Sequence, residues 1–239
     1  MRKSLSGGTV AQQPEQVPAR RSKIVPPEQA DARLATMGLS VDKIHRAVIA
    51  GDDARGRVSS PYYPRNFAGI TMWAETLAGL RRQLLKLRRG WRIGSTGNYE
   101  TAYSSERQLA FAVVSGDSYT GIDGARDPKL TRRRGPKTKE RVRRNAVFGQ
   151  LALDLELPRA LDGLPADEAC STWFLVLHPE DDMVRVELSL PVQVGDDGLV
   201  GDWIERILIP PVPVTGAVAP IERNEDDDDG EDPMVTRPA

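Results

Sequence analysis

The chain has 239 residues, of which 39% are hydrophobic and 5% aromatic. That is enough apolar material for a sizeable core and sets an expectation of one to two domains. Wholesale disorder is excluded, and so is a membrane span, since no run approaches ~18 consecutive apolar residues. The single cysteine, Cys170, excludes an intrachain disulfide and a Cys-rich zinc site. The first residues, MRKSLSGGTVAQQPEQ, lack the apolar segment of a signal peptide, so a reducing, cytoplasmic setting and no membrane partner are expected.

The formal net charge of −1 hides a division. Residues 1–145 carry 28 Lys/Arg against 13 Asp/Glu, and residues 146–239 carry 5 against 21. Such asymmetry suggests a polyanion-binding half, an acidic regulatory tail, or both. The plainer alternative is that the halves fold together and neutralise each other.

Residues 1–26, rich in Gly, Gln, Pro, Ser and basic residues, read as a disordered basic arm. From Pro27 to Ala50 two short helices are expected, the first stopped by Gly38 and the second capped by Ser40. The layout resembles a helix-turn-helix, which in a DNA reader would present Asp42, Lys43, His45 and Arg46. Residues 51–66 read as a loop. Phe67, Ile70, Trp73, Leu77, Leu80, Leu84 and Leu87 then recur at helical spacing and predict a helix of about six turns, with Asn66 and Gly90 as its caps. Arg81, Arg82, Lys86, Arg88 and Arg89 crowd its last turns, where cations complement the helix dipole or face a phosphate.

Trp91–Ile93, Tyr99–Tyr103 and Leu109–Val114 read as strands spaced too tightly for parallel crossovers, hence an antiparallel meander. The last of these empties into a glycine-rich loop, residues 115–124. Its Ser115, Gly116, Asp117, Thr120 and Gly121 are the candidate small-ligand contacts. The loop lacks the Gly-Lys-Ser/Thr ending of a P-loop.

Residues 129–144, KLTRRRGPKTKERVRR, hold nine Lys/Arg and one acid, Glu140. Helix is expected from Thr138 to Leu151. A block this dense repels itself and tends to stay mobile until it meets an anion. Arg132, Arg133, Arg134, Lys137, Lys139, Arg141, Arg143 and Arg144, helped by Arg88, Arg89 and Arg92, are the candidate phosphate contacts, with arginine's fork suited to the task. The block contains no aromatic residue, which argues against a base-stacking platform within it. Beyond it, Thr172–Leu177 and Met183–Leu190 form a hairpin around the turn at 178–182, and Leu199–Ile209 returns, ended by Pro210-Pro211 and Pro213. Residues 216–239, containing EDDDDGED, read as a disordered acidic tail able to fold back on the basic block.

The search for chemistry gives little. His45 and His178 lie in different elements without metal-ligand spacing. Cys170 with His178, and Asp154 with Glu156, are only weak constellations. No cofactor and no metal are expected. The reading is therefore an α+β fold: N-terminal helices (27–90) and a mostly antiparallel sheet (91–215, with the basic loop 125–145) in one compact domain, 27–215. The expected function is a non-enzymatic, nucleic-acid-binding accessory or regulatory protein, tuned by its acidic tail. The alternatives are a charge-segregated protein-interaction subunit, including a homodimer, and an enzyme with its pocket at 115–124.

Overall fold

The computed structural model describes residues 22–87, 90–151 and 163–214. They form an α+β domain around one seven-stranded sheet. The strands are β1 (Lys23–Val25), β2 (Trp91–Gly94), β3 (Thr101–Ser104), β4 (Leu109–Ser115), β5 (Ser171–Pro179), β6 (Met183–Gln193) and β7 (Asp202–Pro213). Their order across the sheet is β1-β7-β6-β5-β4-β3-β2. Pairing is antiparallel except for β1 with β7 and β4 with β5. The tight meander β2-β3-β4 is as the spacing predicts. The parallel β4–β5 pair is possible because a long crossover, including helix α4 (Pro136–Leu151), separates the two strands.

Three helices, α1 (Pro27–Ala35), α2 (Val41–Arg57) and α3 (Phe67–Leu85), cover one face of the sheet. Proline at N1 starts α1, and Gly38 follows it at φ +79°. Ser40 caps α2, its hydroxyl accepting the Lys43 N–H at 3.3 Å. Asn66 makes no such side-chain bond at the start of α3. Leu34, Ile44, Val48, Leu77, Leu80 and Leu84 meet Phe111, Val113, Trp173, Leu175 and Ile207 of the sheet in the larger core. A smaller core on the other face joins Val114, Phe174, Val176 and Trp203 to Leu130, to Val142 of α4 and to Val200.

Several expectations need correction. Order begins before Pro27: Lys23–Val25, assigned to the disordered arm, is a strand beside β7. Residues 51–57, read as loop, continue α2, because Gly51 is where α2 and α3 come closest. A Cβ on Gly51 would lie 2.0 Å from Thr76 Oγ1, and one on Gly79 would lie 2.9 Å from Ala47 Cα. These contacts make α3, rather than α1, the main partner of α2, and His45 Nε2 lies 2.8 Å from the Pro210 carbonyl. Helix, turn and helix thus follow one another as expected, but α1 and α2 make only slight contact with each other. Finally, β7 runs through Pro210, Pro211 and Pro213. Pro210 and Pro211 fall where the β6–β7 register shifts between Val184 and Val186, a bulge in which a missing N–H costs nothing.

Candidate anion-binding cleft

The basic segment is stitched to the fold through its backbone. Lys129 O accepts the Asp117 N–H, Leu130 N–H donates to Val200 O, Thr131 N–H to Ser115 O, and Arg134 N–H to Gly198 O. Leu130 anchors it in the smaller core at 1% exposure. The expectation of a mobile block thus gives way to a fixed one, at least for residues 129–134. Held backbone and apolar anchors outweigh the self-repulsion of the charges.

The structure divides the nine cations into two groups. Arg141 is 1% exposed and its guanidinium reaches Asp167 Oδ2 and Asp167 O, both at 2.7 Å. It also lies over the Tyr99 ring, 4.7 Å from the centroid. Arg144 bonds Glu168 at 3.0 Å and Glu140, and Lys137 approaches Glu140 and Glu168. These three are held by acids, two of which, Asp167 and Glu168, come from the acidic half of the chain. Among the described residues no carboxylate pairs with Lys129, Arg132, Arg133, Arg134, Lys139 or Arg143. Of the further candidates, Arg92 is exposed on the outer strand β2, and Arg88 and Arg89 lie outside the described residues. Arg81 turns inward to Glu100 (2.6 Å) and to the carbonyls of Gly94 and Thr101 (3.0 Å each), so it braces the β2–β3 turn.

Arg132 and Arg134 line a cleft of about 340 Å³. This cleft exists because β3 is shorter than β4. β3 pairs with Leu109, Ala110 and Phe111 only, so the side of β4 from Ala112 to Ser115 is left open. Trp73 of α3 reaches into the gap and its indole N–H donates to Val113 O at 3.1 Å. Val113 and Ser115 point their backbone groups to this same side, since alternate residues of a strand do so. Their N–H groups have no protein partner among the described residues. The walls are Ile70 and Trp73 on α3, Asn98 and Tyr99 at the β2–β3 turn, and Arg132, Arg134 and Thr138 from the basic segment. Asn98 adopts φ +60°, next to Gly97 at +64°, which sets the turn.

Electrostatics mark the cleft. Burial, with Arg132 close by, pulls the Arg134 guanidinium below its ordinary range despite the favourable influence of Tyr99. The Arg134 Nε has no hydrogen-bond partner among the described residues. Burial pushes the Tyr99 phenol up to about 12. Glu100 also borders the cleft, but its carboxylate is held by Arg81. A bound anion would relieve both the mutual repulsion and the desolvation of the two arginines.

The glycine-rich loop behaves differently from its candidate role. Ser115 is exposed and lines the cleft. Gly116 donates its N–H to Leu177 O and packs against Thr120 and Val176. Asp117 pairs with Arg126 at 3.1 Å and accepts the Tyr119 N–H. Thr120 is fully buried. Gly121, at φ +72°, donates to Glu187 Oε2 at 2.8 Å. Glu187 in turn accepts from Arg206, itself bonded to Asp127 and Ile122 O, all within the sheet's covered face. Gly116, Thr120 and Gly121 therefore pack the loop onto the sheet, Asp117 ties the loop to Arg126 and Lys129, and only Ser115 of the five meets the cleft.

Sequence reading missed the aromatic side of the site. The basic block contains no aromatic, but the fold brings Trp73, from α3, and Tyr99 to it. The only available signal was that Phe67, Ile70 and Trp73 continue the apolar stripe of α3. Their exposures of 38, 41 and 37% show that the stripe leaves the core at its N-terminal end. The weaker constellations separate. Cys170 and His178 stand at opposite ends of β5, some eight residues or about 26 Å apart, with Cys170 against Ser104 O and Ala166 O and His178 against Gly116 O. Asp154 and Glu156 lie outside the described residues. Among the described residues no group of three or more His, Cys, Asp or Glu could hold a metal ion, and no helix is long and apolar enough to cross a membrane. No protein-family model, curated protein or solved structure matches this chain.

Proposed function

We propose that the protein is a non-enzymatic nucleic-acid-binding accessory or regulatory protein that grips phosphates with its basic segment. The observation that supports this most is the convergence of Arg132 and Arg134 on one cleft without a carboxylate partner among the described residues. Arginine's planar fork suits phosphate oxygens. Arg133, Lys139 and Arg143 are also exposed, without a carboxylate partner among the described residues, and would add further phosphate contacts. Phosphate contacts of this kind fix position and leave sequence unread.

The acidic tail is the natural competitor. The described chain ends at Val214, whose N–H donates to Asp182 O. Through the registers Ser115↔Leu177, Leu177↔Val186 and Val186↔Ile209, that end of β7 lies at the same end of the sheet as the cleft. Ten residues, 215–224, precede the acidic run beginning at Glu225. On this reading the run competes with nucleic acid for the arginines, which removal of the tail tests.

The test is the salt dependence of binding to a labelled oligonucleotide. Replacing Arg132 and Arg134 together by Ala should lower the slope of log affinity against log salt by about 1.4 on a single strand or 1.8 on a duplex. An unchanged slope would contradict the assignment. The protein-interaction reading has one observation in its favour, the exposed Tyr62 (95%) beside the stacked Tyr63–Phe67 pair. Concentration-dependent self-association, abolished by Tyr62→Ser and indifferent to Arg132, would favour it.

A further inference from the structure

We infer that the cleft at the open edge of β4 receives an unstacked nucleotide of a single strand, its phosphate on Arg132 and Arg134 and its base against Trp73. This rests on the nucleic-acid reading above and narrows it to single strands.

Four observations carry it. First, the cleft has two chemically different walls, cationic on one side and aromatic and aliphatic on the other, and a nucleotide has the same two parts. Second, the volume of about 340 Å³ sits at the lower end of the ~300–1,000 Å³ range of ligand clefts, the scale of one small ligand rather than a helix or a duplex. Third, the floor is a strand edge whose Val113 and Ser115 N–H groups, without a protein partner among the described residues, can donate to base or phosphate oxygens. Fourth, further aromatic rings are exposed beyond the cleft. Phe67, six residues before Trp73 on α3, is 38% exposed outside the cleft, and Tyr63 stacks on it at 5.4 Å.

The fourth observation selects a strand over a free nucleotide. A mononucleotide would fill the cleft and leave Phe67 and Tyr63, and the exposed cations Arg133, Lys139 and Arg143, unused. A strand uses both, since stacking on aromatics is indifferent to base identity and backbone phosphates recur at every step. A duplex fits less well, because its bases are already stacked and paired and its edges, not its ring faces, are offered to a protein.

Trp73 also supplies the readout. The protein has four tryptophans, and Trp91, Trp173 and Trp203 are 3–5% exposed against 37% for Trp73. The full chain is titrated at low salt with a ten-nucleotide thymidine strand, an abasic strand with the same phosphates, the matching duplex, and free dTMP. Expected is binding to the thymidine strand roughly five- to a hundred-fold tighter than to the abasic one, the range of one base–aromatic stacking contact, with quenching of tryptophan emission by the strand that has bases. Trp73→Ala should shrink the difference between the two single strands several-fold. Trp73→Phe, which retains a ring without the indole N–H, should preserve most of the difference, so that loss of fold cannot pass for loss of stacking. Arg132→Ala should weaken both single strands alike.

Equal affinity of the wild-type chain for thymidine and abasic strands, or a preference for duplex, would overturn the inference while leaving the phosphate reading intact. Free dTMP binding as tightly as the strand would overturn the assignment to a strand. Failure of every nucleic acid to bind would remove both readings.

Discussion

Arg206 is fully buried with its guanidinium shared among Glu187, Asp127 and the Ile122 carbonyl, and Glu187 is fully buried too. Removing one member of such a pair strands the other charge. Arg206→Ala should therefore cost about 3–5 kcal/mol in chemical denaturation, whereas an apolar replacement of both partners should cost much less. Asp167 is a second case, 3% exposed between Arg141 and the Thr96 hydroxyl. Burial pushes its carboxyl up, but the hydrogen bonds from Thr96 and Arg141 outweigh this and hold it below the usual carboxylate range. A carboxyl whose pKa is lower folded than unfolded binds fewer protons in the folded state. Its contribution is complete above the unfolded pKa, near ~3.9, and is lost as pH falls through the folded value. Acid titration should show stability falling below about pH 4, and Asp167→Asn should flatten that fall while lowering stability at neutral pH. Cys170, 2% exposed and pushed up to about 12 by burial, should resist thiol reagents at pH 8 until the chain unfolds.

At the scale of elements, α2 and α3 approach through glycines. Gly51→Ala drives a Cβ onto Thr76 and the Met72 carbonyl, and overpacking of this kind costs about 1–3 kcal/mol. A thermal melt should show Gly51→Ala clearly destabilised and Gly56→Ala, which meets nothing within 4 Å, unchanged or improved. These same elements show what the sequence made legible. Strands β3 to β6 and helix α3 were readable because their signals are local: alternation, apolar periodicity and turn residues. β1 was not, since three residues carry no periodicity and its pairing with β7 lies some 180 residues away. The extension of α2 through Gly51-Asp52-Asp53 was hidden because those residues look like a breaker until α3 is in place. The cleft was half legible. A dense run of Arg and Lys names one wall, but the aromatic wall, the open edge of β4 and the loss of Arg141, Arg144 and Lys137 to Asp167 and Glu168 are products of tertiary packing.

For the whole molecule, the division of charge resolves into two parts. Where the halves meet, they neutralise: Glu205 takes Lys23 and Arg33, and Asp167 and Glu168 take Arg141, Arg144 and Lys137. What remains, among the described residues, is a set of cations without acid partners, and, in the sequence, the acidic run from Glu225. If phosphate is the anion these cations wait for, binding must be salt-sensitive, and the tail must weaken it. The measurement that tests this most directly is fluorescence anisotropy of a labelled oligonucleotide at two salt concentrations, for the full chain and for a chain ending at Ile221. The account predicts binding that falls steeply, by about a thousand-fold from 50 to 200 mM salt if six phosphates are held, and that tightens when the tail is removed. Binding that ignores salt, or no binding by either chain even at low salt, would contradict it.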